Sequence, residues 1–117
     1  MRNLFDLFNK KKIMIVGDVM LDIYMKGKVE RISPEAPVPI VSVTEDFSRL
    51  GGAANVAQNL KALGANPVIC SIVGDDEKAK ELIDLLREQE ICDYGIIKSK
   101  ERITTRKVRI IGNNAQM

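Results

Sequence analysis

One run of residues in this chain stands out for the chemistry it could do: Gly51-Gly52-Ala53-Ala54-Asn55-Val56-Ala57. Two glycines ahead of a helix let the backbone come close to a ligand and leave the first helical amides bare toward it. Asn55, on the first turn, would direct its amide into the same space. A tight turn needs the same two glycines, so the run by itself admits both readings. The chain has no histidine, which removes imidazole catalysis and histidine-ligated metal sites. Its two cysteines, Cys70 and Cys92, are too few for a disulfide scaffold or a four-thiolate zinc site. They read as reduced thiols of a cytoplasmic protein, or as a single bridge. Neither Gly-x-x-x-x-Gly-Lys-[Ser/Thr] nor Gly-x-Gly-x-x-Gly occurs, which sets aside the P-loop and simple dinucleotide-binding classes.

The elements that must hold this run can be read from the hydrophobic pattern. Residues 13–16, closed by Gly17, form a short continuous apolar run of the kind buried in a parallel sheet. Residues 68–73, ended by Gly74, form a second. Between them, residues 31–39 hold Pro34, Pro37 and Pro39, and missing backbone donors argue against a central strand. With Val38, Ile40, Val41 and Val43 behind them, they predict edge strands and an extended loop standing off the main sheet, over about 23–47. Ala53, Val56, Ala57, Leu60 and Leu63 make one helical face, and Gly64 stops that helix in the left-handed conformation. Asp75-Asp76 caps a second helix with Ala79, Leu82, Ile83 and Leu86 on its buried face. Residues 92–97 and 103–111 are further strand candidates. Leu4, Phe5 and Phe8 predict a short amphipathic helix docked on the body or on a partner. The order predicts an α/β fold: a mostly parallel sheet, flanking helices and a small β excursion.

Composition narrows the class further. A chain of 117 residues makes about one domain or a little less. Eighteen basic and sixteen acidic residues leave a net charge of +2, too balanced for a nucleic-acid or membrane-surface footprint. The 45% apolar and 29% charged content argues against disorder. No apolar run approaches the ~20 residues needed to span a bilayer, and the first residues do not read as a signal peptide.

The spacing of the glycine run carries a resemblance. Gly-Gly-Ala-Ala-Asn-Val-Ala, six residues, Gly64, nine residues and Gly74 resembles the N-terminal signature of the ribokinase-like (PfkB) carbohydrate kinases. Gly17-Asp18-Val19-Met20-Leu21-Asp22 sits where that family closes its first strand with an Asp. Together with Arg31-Ile32-Ser33-Pro34-Glu35-Ala36-Pro37-Val38-Pro39, these segments look, within the family, like the kinases of ADP-heptose synthesis. Those enzymes phosphorylate D-glycero-D-manno-heptose 7-phosphate at O1 for the lipopolysaccharide inner core. Thr104-Thr105-Arg106-Lys107-Val108-Arg109 is similar to a segment of the same kinases, so the resemblance runs over about 12–117.

The resemblance implies roles for particular residues. Asp22 matches the family's sugar-binding Asp, whose carboxylate accepts hydrogen bonds from two hydroxyls at once. Gly51, Gly52 and Asn55 match sugar-contacting positions, Asn55 as a bidentate amide. Asp18 either caps the strand end or binds sugar and water. Residues 31–39 match a lid that covers the sugar and pairs with a second subunit's lid. Arg31 contacts the sugar phosphate or is a solvated lid charge. Lys107 and Arg109 alternate on one strand face, with Arg106 on the other, and contact an anion or face solvent. The family's Arg-Asn-Gln-Gln is here Asn113-Asn114-Ala115-Gln116, which removes an Arg contact to phosphate at 113.

The family's catalytic base belongs to a later Gly-Ala-Gly-Asp motif that does not occur in these residues. No catalytic, cofactor-binding or metal-ligating residue is therefore expected here, although ATP and Mg²⁺ are implied for the longer kinase. The expectation is an N-terminal part of a ribokinase-like fold over 1–117, an acceptor-sugar half that continues beyond this sequence and is inactive and marginally stable alone. Its expected partners are a sugar phosphate and a second copy through the lid, not nucleic acid or membrane. Two alternatives stand beside it: a non-catalytic sugar-phosphate-binding or dimerisation module, and a PfkB kinase for another sugar phosphate or a nucleoside.

Overall fold

The computed structural model describes residues 2–116. The elements run α1 (Arg2–Phe8), β1 (Lys12–Val16), β2 (Val19–Ile32), β3 (Pro39–Gly52), α2 (Ala53–Ala62), β4 (Asn66–Gly74), α3 (Glu77–Glu88), β5 (Ile96–Ser99), β6 (Arg106–Gly112) and β7 (Ala115–Gln116). The strands form two sheets, ordered β1-β4-β5 and β3-β2-β6-β7. The chain divides into two compact units, one holding the residues up to Leu21 with Leu50–Arg106, the other Asp22–Arg49 with the residues from Lys107 on.

The first unit is the expected parallel α/β layer. β1 pairs with β4 from Lys12 opposite Asn66 to Val16 opposite Cys70, and β4 pairs with β5 from Ser71 opposite Ile96 to Gly74 opposite Ser99, both parallel. Side chains alternate between the faces of a strand. On one face of β4, Ile69 and Val73 are buried with Ala53, Ala54 and Ala57 of α2 and Ala79, Leu82, Ile83 and Leu86 of α3. On the other, Met14, Val16, Ile72 and Ile97 are exposed. Parallel sheets are ordinarily covered on both faces; among the described residues this one is covered on one.

α3 matches its sequence reading in cap and in face, while α2 corrects part of its own. Val56 and Leu63 are exposed, and the stripe facing the sheet is the small one, Ala53-Ala54-Ala57. Alanines bring a helix close to a sheet, so here side-chain size is a poor guide to burial. Gly64 does end the helix with φ +95°. β5 begins only at Ile96, because a turn through Asp93 (Ile96 N–H to Asp93 O, 3.0 Å) precedes it; Cys92 makes an isolated bridge to Val68. Cys70 and Cys92 are both free thiols.

Residues 103–105 were expected in a strand, but Asp76 draws them away from one. The Thr104 amide donates to Asp76 Oδ2 at 2.9 Å and its hydroxyl to Asp76 Oδ1 at 2.6 Å. The Gly74 amide in turn donates to Thr104 Oγ1 at 3.0 Å, and Asp76 accepts the Ala79 amide at 2.9 Å to cap α3. One carboxylate thus ties the end of β4, the start of α3 and the approach to β6. The Thr104 hydroxyl, and after it the Thr104 amide, hold the Asp76 carboxyl below the usual carboxylate range, against a smaller opposing effect of burial. A folded-state pKa below the unfolded one contributes stability above the unfolded value of about 4 that is lost as pH falls through the folded value. Asp76→Ala is expected to cost about 2–4 kcal/mol at pH 7, from the cap and the charged bonds to Thr104. Urea melts from pH 7 into the acid range check this: the gap between wild type and variant should narrow below about pH 4, and a constant gap contradicts it.

The second unit corrects the edge-strand expectation. β2 is an interior strand, between β3 and β6, and β3 lies at the edge. The prolines fall in the connection 33–38 and at the first residue of β3, where a missing donor costs no ladder bond. A connection this short cannot make a parallel crossover, so β2 and β3 run antiparallel. The Ser33 amide donates to Val38 O at 2.8 Å to close it. The strand candidate at 103–111 becomes β6 of this second sheet, so the small unit takes in the residues from Lys107 on besides the expected excursion. β6 and β7 form an antiparallel hairpin through Asn113 and Asn114, with φ 51° and 67°. Two central residues of positive φ make the turn whose twist suits a hairpin. Asn113 also clamps β2: its amide donates to Gly27 O at 3.1 Å, its Oδ1 accepts the Val29 amide at 3.2 Å and its Nδ2 donates to Val29 O at 3.3 Å.

α1 forms as expected, with Phe5 and Phe8 edge to face at 5.5 Å, while Leu4, Phe5 and Leu7 are exposed. No helix among the described residues is long and apolar enough to cross a membrane.

Candidate functional site

In the first unit, the glycine run forms the junction of β3 and α2. Gly52 takes φ 59° and ψ −134°, and a Cβ there would collide with the backbone oxygen of Asp18. That oxygen accepts the Ala53 amide at 2.8 Å. Asp18 therefore caps the helix start through its main chain and leaves its carboxylate exposed. The helix has no side-chain cap, so the amides after Ala53 stay open, since the first turn offers them no intrahelical acceptor. Asn55 is exposed on that turn and its amide is unpaired among the described residues. Open amides at a helix start can donate to the oxygen atoms of a polar ligand.

In the second unit, Asp22 is ion-paired to Arg109, Oδ2 to Nη1 at 3.4 Å, with both side chains half-buried. Arg109 Nη1 also donates to Tyr24 Oη at 3.0 Å. The Arg holds the carboxylate in place through Oδ2. Lys107 lies two residues before Arg109, on the same face of β6 by strand alternation, and is exposed. Arg31 is not brought to Asp22. It lies nine residues along the same strand, about 30 Å away, on the opposite face, where it is exposed.

Four residues that the sequence reading passed over surround this ion pair. Tyr24 and Phe47 stack with centroids 5.1 Å apart and an interplanar angle of 11°. Arg49 lies 5.1 Å from the Phe47 centroid and 5.5 Å from that of Tyr24; Lys26 is 5.5 Å from Phe47, and Arg109 is 5.4 Å from Tyr24. The signal was the period-two spacing of Asp22, Tyr24 and Lys26, and of Phe47 and Arg49.

The first unit also has an open cleft of about 780 Å³ on the uncovered face of its sheet, lined by Val16, Cys70, Ile72, Tyr94 and Ile97 among others. Of the sequence candidates only Asp18 reaches it, and its apolar lining marks it as part of the bare sheet face. No group of three or more His, Cys, Asp or Glu side chains among the described residues is placed to hold a metal ion.

A parallel α/β layer with a small second sheet is an architecture similar to that of solved sugar and nucleoside kinases. The chain belongs to the pfkB family of carbohydrate kinases, whose family model matches residues 10–117. It is 50% identical over 107 residues to the Bifunctional protein HldE of Helicobacter pylori strain HPAG1, covering 92% of this chain and 23% of the relative. It is 44% identical over 112 residues to the Bifunctional protein HldE of Coxiella burnetii, covering 95% of this chain and 23% of the relative. The chain thus spans about a quarter of the length of these curated relatives. Among solved structures it is similar to the fructokinase of Halothermothrix orenii (26% identity, TM-score 0.65, 92% of this chain and 36% of that one). It is also similar to the nucleoside kinase of Methanocaldococcus jannaschii (26% identity, TM-score 0.69, 91% and 35%).

Proposed function

We propose that this chain forms the acceptor-sugar part of a kinase that phosphorylates D-glycero-D-manno-heptose 7-phosphate at O1, for ADP-heptose and lipopolysaccharide core synthesis. The observation that carries this is the 44–50% identity to HldE proteins along nearly the whole chain, against 26% to a fructokinase and a nucleoside kinase. In this reading the Asp22 carboxylate accepts from two sugar hydroxyls, while Gly51, Gly52 and Asn55 supply backbone and amide contacts that orient the acceptor. Arg109 fixes Asp22, and Lys107 adds positive charge on the same face of β6. Arg31 is left to solvent or to a second copy meeting the lid sheet. The donor is ATP with Mg²⁺, which puts the reaction in the cytoplasm. In this reading the chain's part is to hold the acceptor, and neither the base nor the donor site is assigned to its residues.

Calorimetric titration of the chain with heptose 7-phosphate, fructose, ribose and adenosine tests the reading. Heptose 7-phosphate should bind at least about 10-fold tighter than the others, a difference of about 1.4 kcal/mol. Tighter binding of fructose or adenosine would reassign the substrate.

A further inference from the structure

We infer that the Tyr24–Phe47 stack is the floor of a phosphate-monoester subsite, with Arg49 and Lys26 as its principal ligands; this rests on the sugar-phosphate reading above and names where the phosphate goes. Arg49 lies within 5.5 Å of both ring centroids, Lys26 within 5.5 Å of that of Phe47 and Arg109 within 5.4 Å of that of Tyr24. On that face the Asp22 carboxylate is paired with Arg109, and Glu45 stands two residues before Phe47 on the same side of β3 by strand alternation. Lys26 and Arg49 form no ion pair among the described residues. Like charges gathered on one small sheet face repel each other, and an anion bound among them removes that cost.

The aromatic floor suits the role. A guanidinium lying over a ring is held through its π-face, which leaves the in-plane N–H groups free. Those N–H groups match two phosphate oxygens in a bidentate pair. Lys26 adds a point charge from the next position on that face of β2 after Tyr24. Along the strand, Asp22 and Lys26 stand about 13 Å apart on the same face. That span suits a ligand with hydroxyls at one end and a phosphate at the other. A nucleotide polyphosphate fits less well, because the Asp22 carboxylate on the same face would repel it.

The test is calorimetric titration of the chain and of Arg49→Gln, Arg49→Lys and Lys26→Met with heptose 7-phosphate, unphosphorylated heptose, inorganic phosphate and ATP. Arg49→Gln should weaken heptose 7-phosphate about 10- to 100-fold, as loss of a charged hydrogen-bond pair does. It should leave heptose unchanged, and Arg49→Lys should keep part of the affinity. Lys26→Met serves the same comparison if circular dichroism shows Arg49→Gln unfolded. Equal weakening of heptose and heptose 7-phosphate, or no weakening of either, overturns the subsite. So does Arg49-dependent binding of ATP without that of the sugar phosphate, or failure of every phosphate probe to bind. If inorganic phosphate binds in an Arg49-dependent way while heptose 7-phosphate does not bind, the subsite stands and the heptose reading fails.

Discussion

Gly52→Ala is expected to lower the stability of the chain by about 2–4 kcal/mol and to abolish sugar binding. At φ 59° and ψ −134° the residue occupies a region that glycine alone enters freely, and the added Cβ would press on the Asp18 carbonyl oxygen. That oxygen is the acceptor of the Ala53 amide at 2.8 Å, so relieving the clash pulls α2 off its cap. The same shift moves the open amides and Asn55. Urea unfolding monitored by circular dichroism measures the first effect and titration with heptose 7-phosphate the second. A variant with unchanged midpoint and affinity would show that the junction is not the rigid element described.

Asp22→Asn should separate binding from stability. The amide keeps the shape but offers one acceptor oxygen, and loses the charge that strengthens a hydroxyl hydrogen bond. A loss of roughly 1.5–3 kcal/mol in binding corresponds to about a 10- to 100-fold rise in Kd for heptose 7-phosphate. The ion pair to Arg109 is partly open to solvent at 3.4 Å. Its removal should therefore change unfolding stability by about 1 kcal/mol or less. Equal losses in both measurements would make Asp22 a structural residue of the small sheet.

Features set by local chemistry were readable in the sequence. Asp76 capping α3, its Ala79-Leu82-Ile83-Leu86 face and the left-handed Gly64 depend on neighbours a few residues away, and all appear as expected. The face of α2 misled because large side chains were equated with buried ones, whereas Ala53, Ala54 and Ala57 face the sheet. β2 reads poorly because one of its faces is polar for most of its length. Asp22, Tyr24, Lys26, Lys28 and Glu30 alternate there in place of an apolar row. The partners that give that face meaning are distant in sequence: Phe47 and Arg49 come from β3, and Arg109 from β6. Thr104 is the same kind of case, a buried hydroxyl explained by Asp76 and Gly74 some 28 and 30 residues away. Of the candidate site, the glycine-asparagine run and Asp22 stand in motifs, while the Tyr24–Phe47 stack and its cations do not.

The most direct test of the acceptor-sugar assignment is a thermal melt of the chain with and without D-glycero-D-manno-heptose 7-phosphate. At a concentration about 100 times its Kd, a ligand bound to the folded state adds about 2.7 kcal/mol. On a chain of this size that raises Tm by on the order of 10 °C. The account predicts such a rise, and at the same concentration a rise of about half that size or less with fructose or adenosine and in Asp22→Asn. A melt indifferent to heptose 7-phosphate would contradict it.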